Sequence, residues 1–326
     1  MDAGHAPARP LPPAAPGWIA WAPRAALLWA LAYGAVRVLL AIGGGPSNGL
    51  PGTDLIVFTG WSSVGLCAAA AGVALSLMTA QWRWQLLVAA WVLSAALVMA
   101  CALLLLDVVA GLLPGLGVAF HPVPFVSRLA CLTTGILVGA AAVAYRRRFR
   151  SDCPFCGRTA GWRRPVRPPL WAWLAAYAAS AGCLMRLGAQ VAVGFEGSLL
   201  QLNASLLVFE TGFLLAGTAL PLALVHSWGR VVPGWVPLVA GRLVPRWLLL
   251  GPAFAIAGGL TAYFGVTITH LAAQTLNGTW ESSAGSLPLA FFWVAVPAYL
   301  VWGLGLGAAA IAYYRITRPP CRVCGR

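Results

Sequence analysis

Two hexapeptides carry the residues best suited to chemistry, Cys153-Pro-Phe-Cys156-Gly157-Arg158 and Cys321-Arg-Val-Cys324-Gly325-Arg326. Two residues between cysteines let both sulfurs reach one ion, and glycine after the second accepts the tight turn that must follow. One such knuckle supplies two sulfur ligands, and two together supply the four of a closed tetrahedral zinc site. The expected Zn2+ ligands are therefore Cys153, Cys156, Cys321 and Cys324. The same spacing also suits a redox dithiol, and it is equally what an unused relic of duplication would leave. Arginines beside both pairs would favour the thiolate in either role.

A second group of chemically capable residues lies inside apolar sequence. Arg37, Arg128 and Arg186 sit at a similar depth to Asp54, Asp107, Glu196 and Glu210. Ionisable groups within a membrane span are costly and call for a partner. Arg186 pairs most naturally with Glu210, on the next span, and Arg37 with Asp54 in the same relation earlier in the chain. Such pairs either staple helices together or line a path for a substrate. No phosphate loop, GxSxG elbow or HExxH helix is present, and no nucleophile, base and orienting group assemble on one face, so an enzymatic role has no support.

The elements that position these residues follow from composition. Of 326 residues 60% are hydrophobic and 9% charged, where a soluble domain carries about 25% charged; the mean hydropathy is +0.83. Apolar runs at 25–43, 55–78, 84–106, 126–145, 170–193, 199–225, 247–270 and 287–314 each have the length of a spanning helix. The expectation is an all-α polytopic membrane bundle of eight transmembrane helices. The Pro-rich segment 1–24 reads as a disordered tail, and it lacks the cleavage site of a signal peptide, so the first apolar run is expected to be retained.

All 21 basic residues are Arg, against seven acids, for a net charge of +14. With the amino terminus inside, every Arg except Arg37, Arg128 and Arg186 falls on the inner side, the positive-inside pattern at each of eight crossings. Both termini are then cytoplasmic in a bacterial plasma membrane, and the basic balance reflects topology and anionic lipid headgroups, not nucleic acid. Trp and Tyr near span ends, among them Trp18, Trp82, Trp171, Trp247 and Tyr313, suit the headgroup level. The inner-side dithiols also argue against a disulfide-oxidising enzyme, which would need them outside.

The chain repeats itself. Residues 135–158 align without a gap on 303–326 with 13 identities in 24 positions, including Tyr145/Tyr313, Arg147/Arg315, Arg150/Arg318 and both CxxCGR knuckles. The expected organisation is two tandem parallel four-helix repeats, 25–158 and 170–326, joined by a basic linker, 159–169. Glycine pairs at Gly135/Gly139 and Gly303/Gly307 permit close helix approach, read as packing of one half on the other. Transport of a small amphiphile or ion at the repeat interface competes with a structural or regulatory membrane role.

The stretch AYGAVRVLLAIGG from Ala32 to Gly44 resembles the opening helix of uncharacterised multi-pass membrane proteins of actinobacteria, which share a tendency to Arg-rich CxxCGR tails. The resemblance implies a plasma-membrane location and no particular mechanism.

Overall fold

The computed structural model describes residues 16–42, 60–113, 119–150, 153–159, 161, 165–194, 204–234, 240–280 and 287–325. Asp54, Glu196 and residues 1–15 of the amino-terminal tail lie outside them, as do parts of the 159–169 linker. Among the described residues the fold is all helical, apart from one isolated bridge, Val231 to Leu243.

Among the described residues ten α-helices follow one another: α1 (Trp18–Ile42), α2 (Trp61–Thr79), α3 (Trp84–Ala100), α4 (Leu104–Leu112), α5 (Pro122–Phe149), α6 (Leu170–Val193), α7 (Ala204–Gly217), α8 (Ala219–Val225), α9 (Arg246–Leu276) and α10 (Leu289–Thr317). Seven of the described helical stretches are long and apolar enough to cross a membrane, with α7 and α8 counted together, and the bent pair α3–α4 makes an eighth if it is one span. The chain is a multi-pass membrane protein.

Two expected spans are broken. The third, expected over 84–106, stops at Ala100 and resumes as α4 after a bend of 40°. No proline or glycine marks this bend; its effect is to bury Asp107 against α5. The sixth breaks at Thr218 because Pro221 has no N–H to donate and its ring crowds the carbonyl four residues earlier, that of Gly217.

Among the described residues two large apolar cores result, beside a small cluster of Ile19, Ala22 and Ala144. One gathers Ala30, Tyr33, Ala70, Leu77, Leu97, Val138 and Tyr145 from α1, α2, α3 and α5. The other gathers Ala176, Cys183, Leu224, Leu250, Leu260, Trp302, Leu306 and Tyr313 from α6, α8, α9 and α10. Between these groups the main helix contacts run from α3 and α4 to α9.

Small residues set the tightest approach, as expected in lipid, where close packing replaces a hydrophobic driving force. A Cβ on Gly182 of α6 would stand 2.5 Å from the Ala298 carbonyl oxygen of α10, and one on Gly305 would stand 2.5 Å from that of Ala175. The glycine pairs flagged in sequence correct one expectation. Gly135 and Gly139 face Leu97 and Ser94 of α3, while Gly303 and Gly307 face Leu260 and Ala257 of α9. Each pair therefore packs α5 or α10 on the third span of its own group, not one half on the other. The Ser94 hydroxyl adds a hydrogen bond to the Gly135 carbonyl, 2.8 Å.

Candidate metal centre

α5 and α10 both end at the same side of the bundle, and each hands the chain directly to a cysteine knuckle. Their last turns are anchored by tyrosine. The buried Tyr145 hydroxyl donates to the Gln81 carbonyl at 2.6 Å and accepts from the Arg83 amide at 2.8 Å. The buried Tyr313 hydroxyl donates to the Gly229 carbonyl at 2.8 Å. Each tyrosine thus ties the helix bearing a knuckle to the connection between the second and third spans of its own group.

The knuckles themselves are alike. The Gly157 amide donates to the Cys153 carbonyl and the Gly325 amide to the Cys321 carbonyl, at 2.6 and 2.9 Å. Gly157 and Gly325 hold φ of 68° and 70°, the left-handed region where a side chain is strained. Glycine after the second cysteine is therefore required by the turn, as its position in sequence implies.

The turns bring the four sulfurs of Cys153, Cys156, Cys321 and Cys324 within 4.8 Å of one another. Cys156 and Cys324 Sγ, 168 residues apart in sequence, are separated by 3.5 Å. A tetrahedral zinc with Zn–S bonds of about 2.3 Å sets its sulfurs roughly 3.8 Å apart, so the cluster has the dimensions of a four-sulfur site. Cys153 and Cys156 are buried and the second pair is partly so. All four candidate ligands predicted from spacing are brought together.

Backbone amides favour the thiolate at two of the sulfurs. Those of Cys324 and Val323 are directed at Cys321 and lower its thiol to about 6. At Cys153 burial acts upward, but the amides of Cys156 and Phe155 outweigh it and the thiol lies below its ordinary value. Cys156 is pushed up to about 12, by burial first and by the neighbouring sulfurs of Cys324, Cys153 and Cys321. Adjacent thiolates repel one another, and a divalent cation removes that penalty. The amides contribute most to the lowering, where the sequence pointed to arginine.

The arginines have another task. Arg147 Nη1 donates to the Pro154 and Phe155 carbonyls, both at 3.1 Å, and its guanidinium lies 4.9 Å from the Trp18 ring. Arg158 Nη2 reaches the Pro319 carbonyl at 2.9 Å. Arg318 Nη2 donates to the Cys156 carbonyl. The two knuckles therefore clasp each other through reciprocal arginine-to-carbonyl bonds. Sequence reasoning placed these arginines on one face and gave them no individual role; Arg147 and Arg318, both matched in the internal alignment, were the available signal.

No family model, curated protein or solved structure matches the chain. The site therefore has to be read from its own geometry.

At the opposite end of the bundle, Arg186 and Glu210 form the expected pair, fork to fork, with Nη1–Oε2 2.8 Å and Nη2–Oε1 3.0 Å. Phe213 and Tyr299 cover the guanidinium at 5.4 and 5.6 Å. Arg37 is buried and its Nε donates to Ser63 Oγ at 2.7 Å; Asp54, its expected partner, lies outside the described residues. A pair the sequence reading did not assemble joins Arg128 of α5 to Asp107 of α4, with Nη1 2.6 and 2.5 Å from the two carboxylate oxygens. The adjacency argument that pairs Arg186 with Glu210 would have found it, since these residues also lie on consecutive spans.

Proposed function

We propose that the chain is a structural or regulatory component of a bacterial plasma membrane, whose two four-helix halves are clipped together by zinc on the cytoplasmic side. The observation that carries this reading is the convergence of Cys153, Cys156, Cys321 and Cys324 within 4.8 Å. A site with four protein ligands leaves no open position, which is the property of a structural zinc and not of a catalytic one. Arg147, Arg158 and Arg318 around the knuckles would offset the net negative charge of four thiolates on a divalent ion.

The duplication reading is supported by equivalent work at aligned positions: Tyr145 and Tyr313 each tether the connection between the second and third spans of their own group, and Gly157 and Gly325 make turns of one kind. The Arg-rich side is the cytoplasmic one under the positive-inside rule, and each Arg near the surface would attract anionic headgroups by roughly 1 kcal/mol. Transport along the charged residues needs them solvated. The Arg186 and Glu210 side chains are 9% and 22% exposed and bonded to each other, which favours a staple between α6 and α7.

Purified full-length chain is expected to carry one zinc per molecule, with all four knuckle cysteines protected from alkylation until a chelator is added. Less than half an equivalent of zinc, with the four thiols freely alkylated, would overturn the proposal. Reporter fusions should place Arg150 inside and Asn48, Gly197 and Thr279 outside; Arg150 outside would overturn the topology.

A further inference from the structure

At the cysteine end of the bundle, a cavity of about 350 Å³ opens where the start of α1 meets the last turns of α2 and α5, within the roughly 300–1,000 Å³ range of small-molecule sites. Its lining joins apolar residues, Ile19, Ala20, Pro23 and Met78, to the guanidiniums of Arg24 and Arg148. Ile19 is buried against Ala144 of α5, which fixes this side of the cavity. Neither Arg24 nor Arg148 has a hydrogen-bond or ion-pair partner among the described residues; Arg148 rests 5.8 Å from the Phe149 ring. The described acids, Asp107 and Glu210, are both spent on Arg128 and Arg186 at the opposite end.

The arrangement recurs in the other helix group. A smaller cavity, about 170 Å³, lies where the approach to α6 meets the last turn of α10, and it is lined by Arg167 and Arg315 beside Trp171 and Ala312. α1 and α6 open their groups, and α5 and α10 close them. The arginines are not aligned copies, since Arg148 matches Ile316 in the internal alignment. Different residues therefore bring two arginines to the same place, which copying of one ancestral pair does not explain. Exposed Trp21, Trp82 and Trp171 at this end of the bundle mark the headgroup level.

A ligand that suits both cavities is anionic, offers oxygens to two planar guanidinium forks and tolerates apolar neighbours. Phosphate oxygens match the forks. A phospholipid carries its phosphate and its first acyl carbons together at this depth, whereas a free, hydrated ion gains nothing from Ile19 or Met78. We propose that the two cavities are discrete sites for an anionic phospholipid, the phosphodiester held by Arg24 with Arg148 in one and by Arg167 with Arg315 in the other. The proposal rests on the reading of the Arg-rich end as the inner headgroup level, and it replaces a diffuse attraction with one retained lipid per cavity.

The test titrates full-length chain in neutral detergent with dioleoylphosphatidylglycerol and counts bound lipid and zinc on the same ion by native mass spectrometry. Two retained lipids per chain are expected. Arg24→Gln combined with Arg148→Gln should weaken one of them roughly thirtyfold, the strength of two surface arginines, and Arg167→Gln combined with Arg315→Gln should weaken the other. Arg83→Gln combined with Arg242→Gln removes as much charge from the same end, outside both cavities, and should spare both lipids. An equal loss in that control would overturn the proposal in favour of diffuse attraction. Ala20→Trp fills the first cavity with both charges kept, should also lose its lipid, and serves where the first double variant unfolds. Two lipids retained in every cavity variant would overturn the sites. Displacement by an equal concentration of glycerol 3-phosphate would assign the cavities to soluble phosphate esters and overturn the lipid. Full zinc without retained lipid would overturn this proposal alone, whereas retained lipid without zinc would support it and count only against the clip.

Discussion

The two ends of the bundle treat its two helix groups differently. At the cysteine end aligned residues do the same work: Tyr145 and Tyr313 each bind the connection beside them, and both knuckles turn on a left-handed glycine. At the other end buried charge is neutralised by unrelated helix pairs, Arg128 with Asp107 across α4 and α5, and Arg186 with Glu210 across α6 and α7. The position aligned with Arg128 is Val296. The cysteine end thus meets one geometric requirement twice, whereas Arg128 and Arg186 each pose a local desolvation problem that an acid on an adjacent span solves.

That contrast is sharpest where a charge is left alone. Removing one member of a buried pair costs about 3–5 kcal/mol, since the survivor stays buried without compensation. Asp107→Asn should therefore destabilise the chain most. Glu210→Gln should cost less, because the Glu210 side chain is 22% exposed against 11% for Asp107. Thermal unfolding in detergent would read both, and equal losses would break the distinction.

Helix contacts give a second, smaller difference between the groups. Gly182→Ala drives a methyl against the Ala298 carbonyl at 2.5 Å, a backbone atom that cannot turn aside, and should cost about 1–3 kcal/mol. Gly139→Ala meets the Ser94 hydroxyl at 3.1 Å, a looser contact than 2.5 Å although that hydroxyl is held by the Gly135 carbonyl, and should cost less in the same assay.

The tyrosines should show the likeness. Tyr145→Phe loses a donated and an accepted bond, Tyr313→Phe one donated bond, at about 1 kcal/mol per bond. Both should lower stability, Tyr145→Phe somewhat more. Opposite signs would contradict the equivalence of the two anchors.

Much of this arrangement is legible in sequence because lipid leaves few choices. Apolar runs long enough to span must be helices, since backbone groups have no other partner there. Cysteine spacing likewise gives the knuckles. Pro221 accounts for the break at Thr218, although the reading of 199–225 as one span makes no use of it, whereas nothing in Cys101–Leu103 marks the bend that delivers Asp107 to Arg128, because that bend answers a tertiary demand. The glycine pairs revealed a packing face and not its partner: periodicity fixes which side of α5 or α10 is small, whereas the chain's path decides that α3 and α9 fill it. The clasp between Arg158, Arg318 and the knuckle carbonyls was illegible for a similar reason, joining segments 160 or more residues apart.

The central claim is that four sulfurs from two distant knuckles share one ion. X-ray absorption at the zinc edge of the purified full-length chain measures this directly. The account predicts four sulfur neighbours at about 2.3 Å, reduced in number when Cys156 or Cys324 is replaced by serine. A shell of two sulfurs completed by nitrogen or oxygen, unchanged on replacing either Cys321 or Cys324, would contradict it, because the two knuckles would then not meet on one metal.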